Sequence, residues 1–245
     1  MKISLITVSF NSEETISETF ESVKNQAKDG FELEYIHIDG LSNDSTMEIA
    51  SNYEDIISVS VSEKDTGIYN AMNKGIDLAS GDIIGFLNSD DTFISGNTLN
   101  NISKPFFNEA VEVVYTNINY VDDKSKLSRK WRNKKRKPFV SGWHPPHPGF
   151  YARRQSFMDY GGFDENLTVA ADFDLMLRFM DVHKLNSHPL DEVTVNMKLG
   201  GESNKSFRNI MKSNYDIQNS FKKYNLKPRL LYTYRRWVSK ILQRF

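Results

Sequence analysis

Residues 82–91 read Asp-Ile-Ile-Gly-Phe-Leu-Asn-Ser-Asp-Asp, an apolar, strand-like run that ends directly in two acids. Three further apolar, β-branched segments precede it, separated by segments with the 3.6-residue spacing of an amphipathic helix. Strands and helices that alternate in this way build an open, mostly parallel sheet flanked by helices. We therefore predict an α/β fold with strands at Lys2–Phe10, Phe31–Asp39, Ile56–Val61 and Asp82–Asn88, and with helices capped by Asn11 and spanning Asp44–Tyr53 and Ile68–Ser80.

After residue 121 the alternation stops. The stretch Lys124–Lys137 holds nine Lys or Arg and no acid, which predicts an exposed loop. The Pro- and His-rich segment Trp143–Gly149 cannot form a helix. Helical spacing returns at Asp172–Asp181, Phe207–Tyr224 and Pro228–Phe245, so the chain is predicted to finish in C-terminal helices.

The composition limits the class of protein. A chain of 245 residues with 39% hydrophobic and 26% charged residues resembles a soluble globular domain, and its net charge of −1 gives no general affinity for nucleic acid. The absence of cysteine excludes disulfides and thiolate metal sites. No apolar run reaches the roughly eighteen residues of a membrane span, and no cleavable leader is recognisable. We expect a cytoplasmic protein.

Polar side chains follow all four predicted strands. Thr7–Asn11 lies at the end of the first strand, Asp39 at the end of the second, Glu63–Asp65 after the third, and Asp90 and Asp91 after the fourth. In open parallel sheets, ligands bind outside the carboxyl ends of the strands. The sequence therefore predicts one binding site at this edge.

The segment after the first strand contains no glycine, and the chain has no P-loop, so neither common phosphate cradle is present. A bound diphosphate would need another counter-charge. Mg²⁺ and Mn²⁺ prefer oxygen ligands and bind phosphates through one or two carboxylates plus water. Asp90 and Asp91 can supply these carboxylates, although an acidic pair can also simply cap a turn.

Four segments, in this order, resemble family 2 inverting glycosyltransferases of the GT-A fold: Ile3–Asn11, Ile38–Thr46, Asp65–Gly75 and Gly81–Asp91. The resemblance extends over residues 1–205 and is greatest to bacterial enzymes of O-antigen, capsule and exopolysaccharide assembly. It implies a GT-A domain over residues 1–205, with a nucleotide-binding half (about 1–121) and an acceptor half (about 138–205). A helical, basic and aromatic extension follows at residues 206–245.

The resemblance implies transfer of a sugar from a nucleotide sugar, with a UDP-sugar favoured, to a hydroxyl of a glycan or an undecaprenyl-linked acceptor. Thr7, Ser9 and Asn11 would hold the nucleobase, and Asp39 would accept a hydrogen bond from the uracil N3–H. A carboxylate can accept from uracil or thymine but repels the N3 lone pair of cytosine. Asp39 could instead cap the turn Ser42–Thr46.

Further positions match the family's site. Asp65 would lie near the donor sugar or ribose, and Lys74 would point to the nucleotide unless it is a solvated helix lysine. Asp90 and Asp91 match the metal motif, although Asn88 stands where the family often has a third acid. His147 would be a further metal or phosphate contact, or a structural loop histidine.

The segment around Asp172 resembles the family's catalytic-base motif, with Ala171 in place of a common Glu. One carboxylate is enough to deprotonate the acceptor hydroxyl in an inverting displacement. No general acid is required, because a metal ion stabilises the charge of the leaving diphosphate. Asp172 could also act as an N-cap, with Asp174 in the first turn of the helix.

Two glycine-containing segments lie on the predicted acceptor side. Gly161–Asp164 would form a turn that shapes the acceptor site. Gly200–Asn204 resembles a family loop that closes near the diphosphate or acceptor, with a flexible linker as the alternative.

The acid-free segment Pro228–Phe245 places apolar and aromatic residues on one helical face and cationic residues mostly on the other. This pattern is typical of a helix that lies in a membrane interface, and here predicts docking on the inner face of the cell membrane. The alternative is that the apolar face packs on the protein's own core or on a second subunit of a homodimer.

Two other functions are less consistent with the sequence. A sugar-nucleotide nucleotidyltransferase shares the α/β core but usually carries a Gly-rich basic loop after the first strand, which is absent here. A phospho-receiver module is shorter and has no counterpart of the segment around Asp172.

Overall fold

The structure is a computed structural model that describes residues 1–122, 124–133, 135–199, 207–230 and residue 232. Nine strands form one sheet in the order β3-β2-β1-β4-β8-β6-β9-β5, and β7 pairs with β6. The elements are β1 (Lys2–Ser9), α1 (Ile16–Lys24), β2 (Glu32–Asp39), α2 (Thr46–Ser51), β3 (Val59–Ser62), α3 (Ile68–Leu78), β4 (Ile83–Phe86), β5 (Thr92–Phe93), α4 (Thr98–Ser103), β6 (Val113–Val121), β7 (Leu127–Trp131), β8 (Phe150–Arg153), α5 (Arg154–Tyr160), α6 (Ala171–Leu177), β9 (Ser187–Lys198) and α7 (Phe207–Lys223).

The first four predicted strands are confirmed. β3, β2, β1 and β4 lie side by side and are all parallel. Their register aligns Ser9 with Asp39 and Asp39 with Ser62, so three strands end at the same level of one sheet edge.

The remainder of the sheet is mixed. β8 runs antiparallel to β4 and β6, β7 runs antiparallel to β6, and β9 runs parallel to β6. The predicted α/β class is therefore confirmed, while parallel pairing dominates only in the first half of the chain.

Both faces of the sheet are buried, as expected for a central parallel strand. Ile3 and Leu5 of β1 belong to one core cluster, which α1 covers, and Ile6 belongs to the opposite cluster, which α3 covers. A Cβ on Gly75 of α3 would approach Ile6 Cγ2 to 2.5 Å, so this glycine sets how closely α3 lies on β1.

Two local predictions are corrected. α1 begins at Ile16, and Asn11 does not cap it. Asn11 instead has a φ of 48° and uses its side chain to bind the backbone of Asn43, so a contact between distant loops outcompetes the local cap. The basic stretch Lys124–Lys137 is not wholly a loop, because β7 lies within it and packs Trp131 on the core.

The division of the chain into a GT-A domain and an extension at residue 205 stays a prediction. α7 buries Ile217 and Phe221 in the same cluster as α3 and α6. The predicted loop Gly200–Asn204 and most of the predicted interfacial helix Pro228–Phe245 lie outside the described residues. Among the described residues, no helix combines the length and the apolar character needed to cross a membrane.

Candidate active site

The loops that follow β1, β2 and β4 are bonded to one another. Asn11 Oδ1 accepts a hydrogen bond from the Asn43 N–H at 2.9 Å, and the Ser12 N–H donates to Thr46 Oγ1 at 2.8 Å. The Ser12 hydroxyl lies 2.9 Å from that of Ser89, just before the acidic pair. The strand ends therefore form one continuous rim, with Asn11 exposed on it.

Asp39 is fully buried at the end of β2. Its Oδ1 accepts from the hydroxyls of Ser9 (2.9 Å) and Ser42 (2.5 Å), and its Oδ2 accepts from the Ser42 N–H (2.9 Å) and the Ser62 hydroxyl (2.7 Å). Burial alone would raise the pKa of Asp39, but these hydrogen bonds outweigh it and lower that pKa. A carboxylate accepts about four hydrogen bonds, so Asp39 is saturated by the protein's own donors.

Ser9 lies between Asp39 and His37. Because its single hydroxyl proton is donated to Asp39, Ser9 Oγ must accept from His37 Nε2–H, 2.8 Å away. Burial lowers the pKa of His37 to about 4, so the ring is neutral, and its Nδ1 accepts from Ser60 at 3.3 Å. The predicted base contact Ser9 is thus part of an internal chain of hydrogen bonds that orients Asp39.

Thr7 is also fully buried. Its hydroxyl donates to the Leu87 carbonyl at 2.7 Å, and therefore accepts from the Tyr35 hydroxyl at 2.9 Å. A base contact through this hydroxyl would have to displace an internal partner, and the predicted role of Thr7 stays a prediction. What Thr7 does in the structure is hold β1 to the segment that leads into the acidic pair.

The sequence interpretation missed Phe10, which the end of β1 presents to solvent. The Phe10 side chain is 59% exposed and that of Leu41 is 51% exposed. Gly40, which precedes Leu41, lies against Phe10, because a Cβ on this glycine would be 3.4 Å from Phe10 Cδ2. Large exposed apolar side chains beside a polar rim commonly mark a ligand site. The available signal was an aromatic residue placed directly after Ser9 at a strand end.

Asp65 lies on the segment after β3, and Lys74 of α3 bonds to that segment. A Cβ on Gly40 would lie 2.5 Å from Asp65 Oδ2, so the glycine lets Asp65 approach the end of β2. Lys74 Nζ pairs with Glu63 at 2.8 Å and donates to the Lys64 carbonyl at 2.9 Å. Lys74 therefore holds the segment that carries Asp65, and its charge already has a partner.

The acidic pair lies in a setting that suits a cation. Asp91 is fully buried, and Asn88 Nδ2 donates to its Oδ2 at 3.1 Å. Asp91 Oδ1 and Asn88 Oδ1 are buried acceptors without a hydrogen-bond donor among the described residues. Burial and the neighbouring charge of Asp90 raise the pKa of Asp91 well above its usual range. A divalent cation would satisfy these oxygens and offset the repulsion, so the residues fit Mg²⁺ or Mn²⁺.

His147 does not join this pair as a third ligand. Its ring packs on Phe86 and Phe163, with centroid separations of 5.3 and 5.6 Å. Burial lowers its pKa to about 4. In the part of the chain that the structure describes, no three or more His, Asp or Glu side chains gather to hold a metal ion.

Asp172 lies in the first turn of α6, which α7 fixes in place. Asp216 of α7 is 5% exposed, and its Oδ2 accepts from the N–H groups of Val169 (2.9 Å) and Ala170 (3.2 Å) just before α6. Burial and then the Asp172 charge raise the pKa of Tyr69, so this tyrosine lies beside Asp172. No local pattern signalled Asp216, which acts 46 positions away from Ala170.

Asp174, the alternative carboxylate, is bound in the interior. It is fully buried, and its Oδ2 accepts from the Tyr224 hydroxyl at 3.1 Å and lies 3.5 Å from Arg178 and 3.7 Å from Lys223. Asp172 is only half-buried. Of the two acids, Asp172 is therefore the one that a substrate can reach.

Tyr120 of β6 connects the two acidic regions. Burial raises the pKa of Tyr120 to about 12; Arg129 lowers it, and the charges of Asp91 and Asp172 raise it further. Both carboxylates therefore lie within electrostatic reach of one hydroxyl. Arg129 of β7 stacks on the Tyr120 ring at 3.8 Å. The sequence interpretation missed both residues. The high charge of residues 124–137 predicted a loop, whereas Arg129 lies on the strand β7.

Comparisons with known proteins identify the family and the fold. The profile of the family described as Glycosyl transferase family 2 matches residues 4–184. An uncharacterized glycosyltransferase of Mycobacterium tuberculosis strain H37Rv is 31% identical over 193 residues, which span 72% of this chain and 68% of that protein.

Two solved structures share the fold. S. aureus TarS 1–349 in complex with UDP superposes with a TM-score of 0.65 at 20% identity, over 96% of this chain and 68% of that chain. The second structure is glucosyl-3-phosphoglycerate synthase from Mycobacterium tuberculosis in complex with Mn²⁺, UDP and glucosyl-3-phosphoglycerate. It superposes with a TM-score of 0.63 at 17% identity, over 92% of this chain and 80% of that chain. These likenesses show the GT-A fold, and the profile match over most of the chain shows that the protein belongs to glycosyl transferase family 2.

Proposed function

We propose that this protein is a metal-dependent, inverting glycosyltransferase that moves a sugar from a UDP-sugar to a hydroxyl of a glycan or undecaprenyl-linked acceptor in bacterial surface polysaccharide synthesis. The observation that carries the proposal is that Asp91 and Asp172 both lie within electrostatic reach of the Tyr120 hydroxyl. The strands β1, β2 and β3 end together at one edge of the same sheet. The presence of UDP in both structural neighbours, and of Mn²⁺ in one, supports the choice of donor and metal.

The nucleotide would occupy the rim beside Gly40. The exposed ring of Phe10 offers a stacking surface for a base, and base–aromatic stacking tolerates any base. Discrimination therefore needs a polar group, and the buried carboxylate of Asp39 stands next to Gly40, which lies against Phe10. For Asp39 to accept a uracil N3–H, one of its four donors has to give way, and the exposed Ser62 is the donor best placed to do so.

Asp90 and Asp91 would hold Mg²⁺ or Mn²⁺, which as a Lewis acid stabilises the negative charge of a leaving diphosphate. Asp172 would accept the proton of the acceptor hydroxyl as that oxygen attacks the anomeric carbon. Asp216 positions Asp172 by binding the backbone before α6. Asp65, Asn11 and Lys74 would complete the donor side, with Lys74 acting through the segment after β3.

The proposal predicts that Ser62→Ala strengthens UDP binding. The change removes one competing donor from Asp39, so a base N–H no longer has to displace it. With a net hydrogen bond worth about 1 kcal/mol, we expect the UDP dissociation constant to fall by roughly fivefold, as measured by calorimetry with Mn²⁺.

Ser60→Ala is the matched control, because Ser60 lies on the same strand but contacts His37 rather than Asp39. CDP should gain nothing from Ser62→Ala, since cytosine has no N3–H. An equal gain for CDP, or weaker UDP binding, would show that Asp39 does not recognise the base.

The function itself is tested by calorimetric titration of UDP, GDP and dTDP into the full chain, with and without Mn²⁺. We expect binding that needs the metal and favours UDP. Failure of all three diphosphates to bind with Mn²⁺ present would contradict the proposed function.

A further inference from the structure

We propose that β7 is an anion-binding element for the acceptor, so that the acceptor is an anionic glycan with a phosphate or carboxylate group close to the hydroxyl that is glycosylated. This inference rests on the proposed function and adds the chemical class of the second substrate. It uses the basic stretch that the donor site leaves without a role.

The segment around β7 concentrates exposed positive charge among the described residues. Elsewhere, lysines such as Lys2, Lys74 and Lys223 pair with carboxylates. Around β7, no exposed cation pairs with a carboxylate within the described ranges. Like charges held together repel each other and attract a ligand of opposite charge. The exposed cations are Lys124, Lys126, Lys130, Arg132, Lys135 and Lys137.

Lysines on an edge strand can also serve to prevent pairing with other proteins. That role does not explain Arg129, which is half-buried and lies directly opposite Tyr120 in the β6–β7 register. Its guanidinium carbon is 3.8 Å from the Tyr120 ring centroid and 5.8 Å from that of Trp131. These contacts fix the guanidinium in one orientation over the sheet.

The donors of Arg129 are not all used. Arg129 stacks on the Tyr120 ring and also hydrogen-bonds the Tyr120 hydroxyl, whose pKa it lowers. The Nε–H is buried and has no acceptor among the described residues. A buried donor without a partner is costly, and the planar fork of arginine matches the two oxygens of a carboxylate or phosphate. Arg129 is therefore prepared to receive an oxyanion.

The position of Arg129 favours the acceptor over the donor. Trp131 contacts His144 at 5.0 Å between ring centroids, and His144 contacts Phe173 at 5.5 Å, so an aromatic wall leads from β7 to the residue next to Asp172. Asp172 is the proposed base for the acceptor hydroxyl. An oxyanion on Arg129 would thus anchor the acceptor on the base side of the site, while the donor diphosphate has the metal pair as its counter-charge.

The test measures binding of three oligosaccharides of equal length to the full chain with UDP and Mn²⁺ present: a neutral malto-oligosaccharide, an oligogalacturonate, and a phosphorylated malto-oligosaccharide. At least one anionic chain should bind roughly tenfold or more tightly than the neutral one, and Arg129→Gln should abolish that preference. Arg129→Lys should not restore it, because an ammonium lacks the fork. Melting temperatures identify any variant that fails to fold.

A second variant, Lys126→Gln with Lys130→Gln and Arg132→Gln, should keep the site but reduce the salt dependence of anionic-chain binding. Equal binding of neutral and anionic chains would overturn the proposal, as would an Arg129→Gln variant that loses UDP rather than the oligosaccharide. Loss of binding to phosphatidylglycerol vesicles in the triple variant, with oligosaccharide binding unchanged, would assign the surface to a membrane instead. Because UDP binding is measured separately, a failure here is distinguishable from failure of the proposed function.

Discussion

The Asp172→Asn variant is expected to bind UDP and Mn²⁺ as the wild type does but to transfer sugar more slowly by roughly 10²–10⁴, the usual contribution of a general base. The amide has nearly the size of the carboxylate but cannot take the acceptor proton. The bonds from Asp216 that fix the start of α6 involve Val169 and Ala170, so they survive the change. Calorimetry with UDP and a turnover assay on the same sample separate binding from chemistry.

Asp174→Asn is the matched control two positions along the same helix. Asp174 is buried between Tyr224, Arg178 and Lys223. The Asp174→Asn change should therefore lower the melting temperature more than it slows the chemical step. Turnover at the wild-type rate by Asp172→Asn would show that the base lies elsewhere, and loss of turnover by Asp174→Asn alone would assign the base to Asp174.

The Asp91→Asn variant should lose nearly all activity and its metal-dependent nucleotide binding. Loss of the Lewis acid removes several kcal/mol of stabilisation from the transition state. In the absence of metal the same change should raise the melting temperature, because it replaces a buried carboxylate beside Asp90 with a neutral amide. This opposite response of activity and stability is measured by calorimetry and thermal melts with Mn²⁺ and with EDTA.

Asp90→Asn completes the comparison, because the half-buried Asp90 is the second possible ligand. If both variants lose metal binding, both acids are ligands, whereas full turnover by Asp91→Asn in EDTA would contradict the metal site.

The sequence allowed prediction of the strand ends but not of the bonds between them. The apolar runs that end in Asp39 and Asp91 are local patterns, and the rule that parallel strands end at one edge brought them together. The four hydrogen bonds that Asp39 accepts come from Ser9, Ser42 and Ser62. They depend on the directions of side chains at the ends of three strands, and the hydrophobic periodicity of a sequence does not specify these directions.

Other parts of the site depended on distant contacts. The capping pattern at Asn11 was overridden by its bond to Asn43. In β7, Leu127, Arg129 and Trp131 occupy every second position, which is the spacing of one strand face. The sequence interpretation nevertheless predicted a loop, because the segment is so highly charged. Asp216 acts on a helix far away in sequence, so only the folded chain shows how α7 positions Asp172.

We infer that Asp91 and Asp172 form one site that transfers the sugar of a UDP-sugar with inversion. The most direct test is proton NMR of slow donor hydrolysis by the full chain, with water as acceptor, across a panel of UDP-, GDP- and dTDP-sugars. We expect Mn²⁺-dependent release of sugar from a UDP-sugar, with the inverted anomer appearing first and with little release by Asp172→Asn. Release of the retained anomer, or no metal-dependent hydrolysis of any donor, would contradict it.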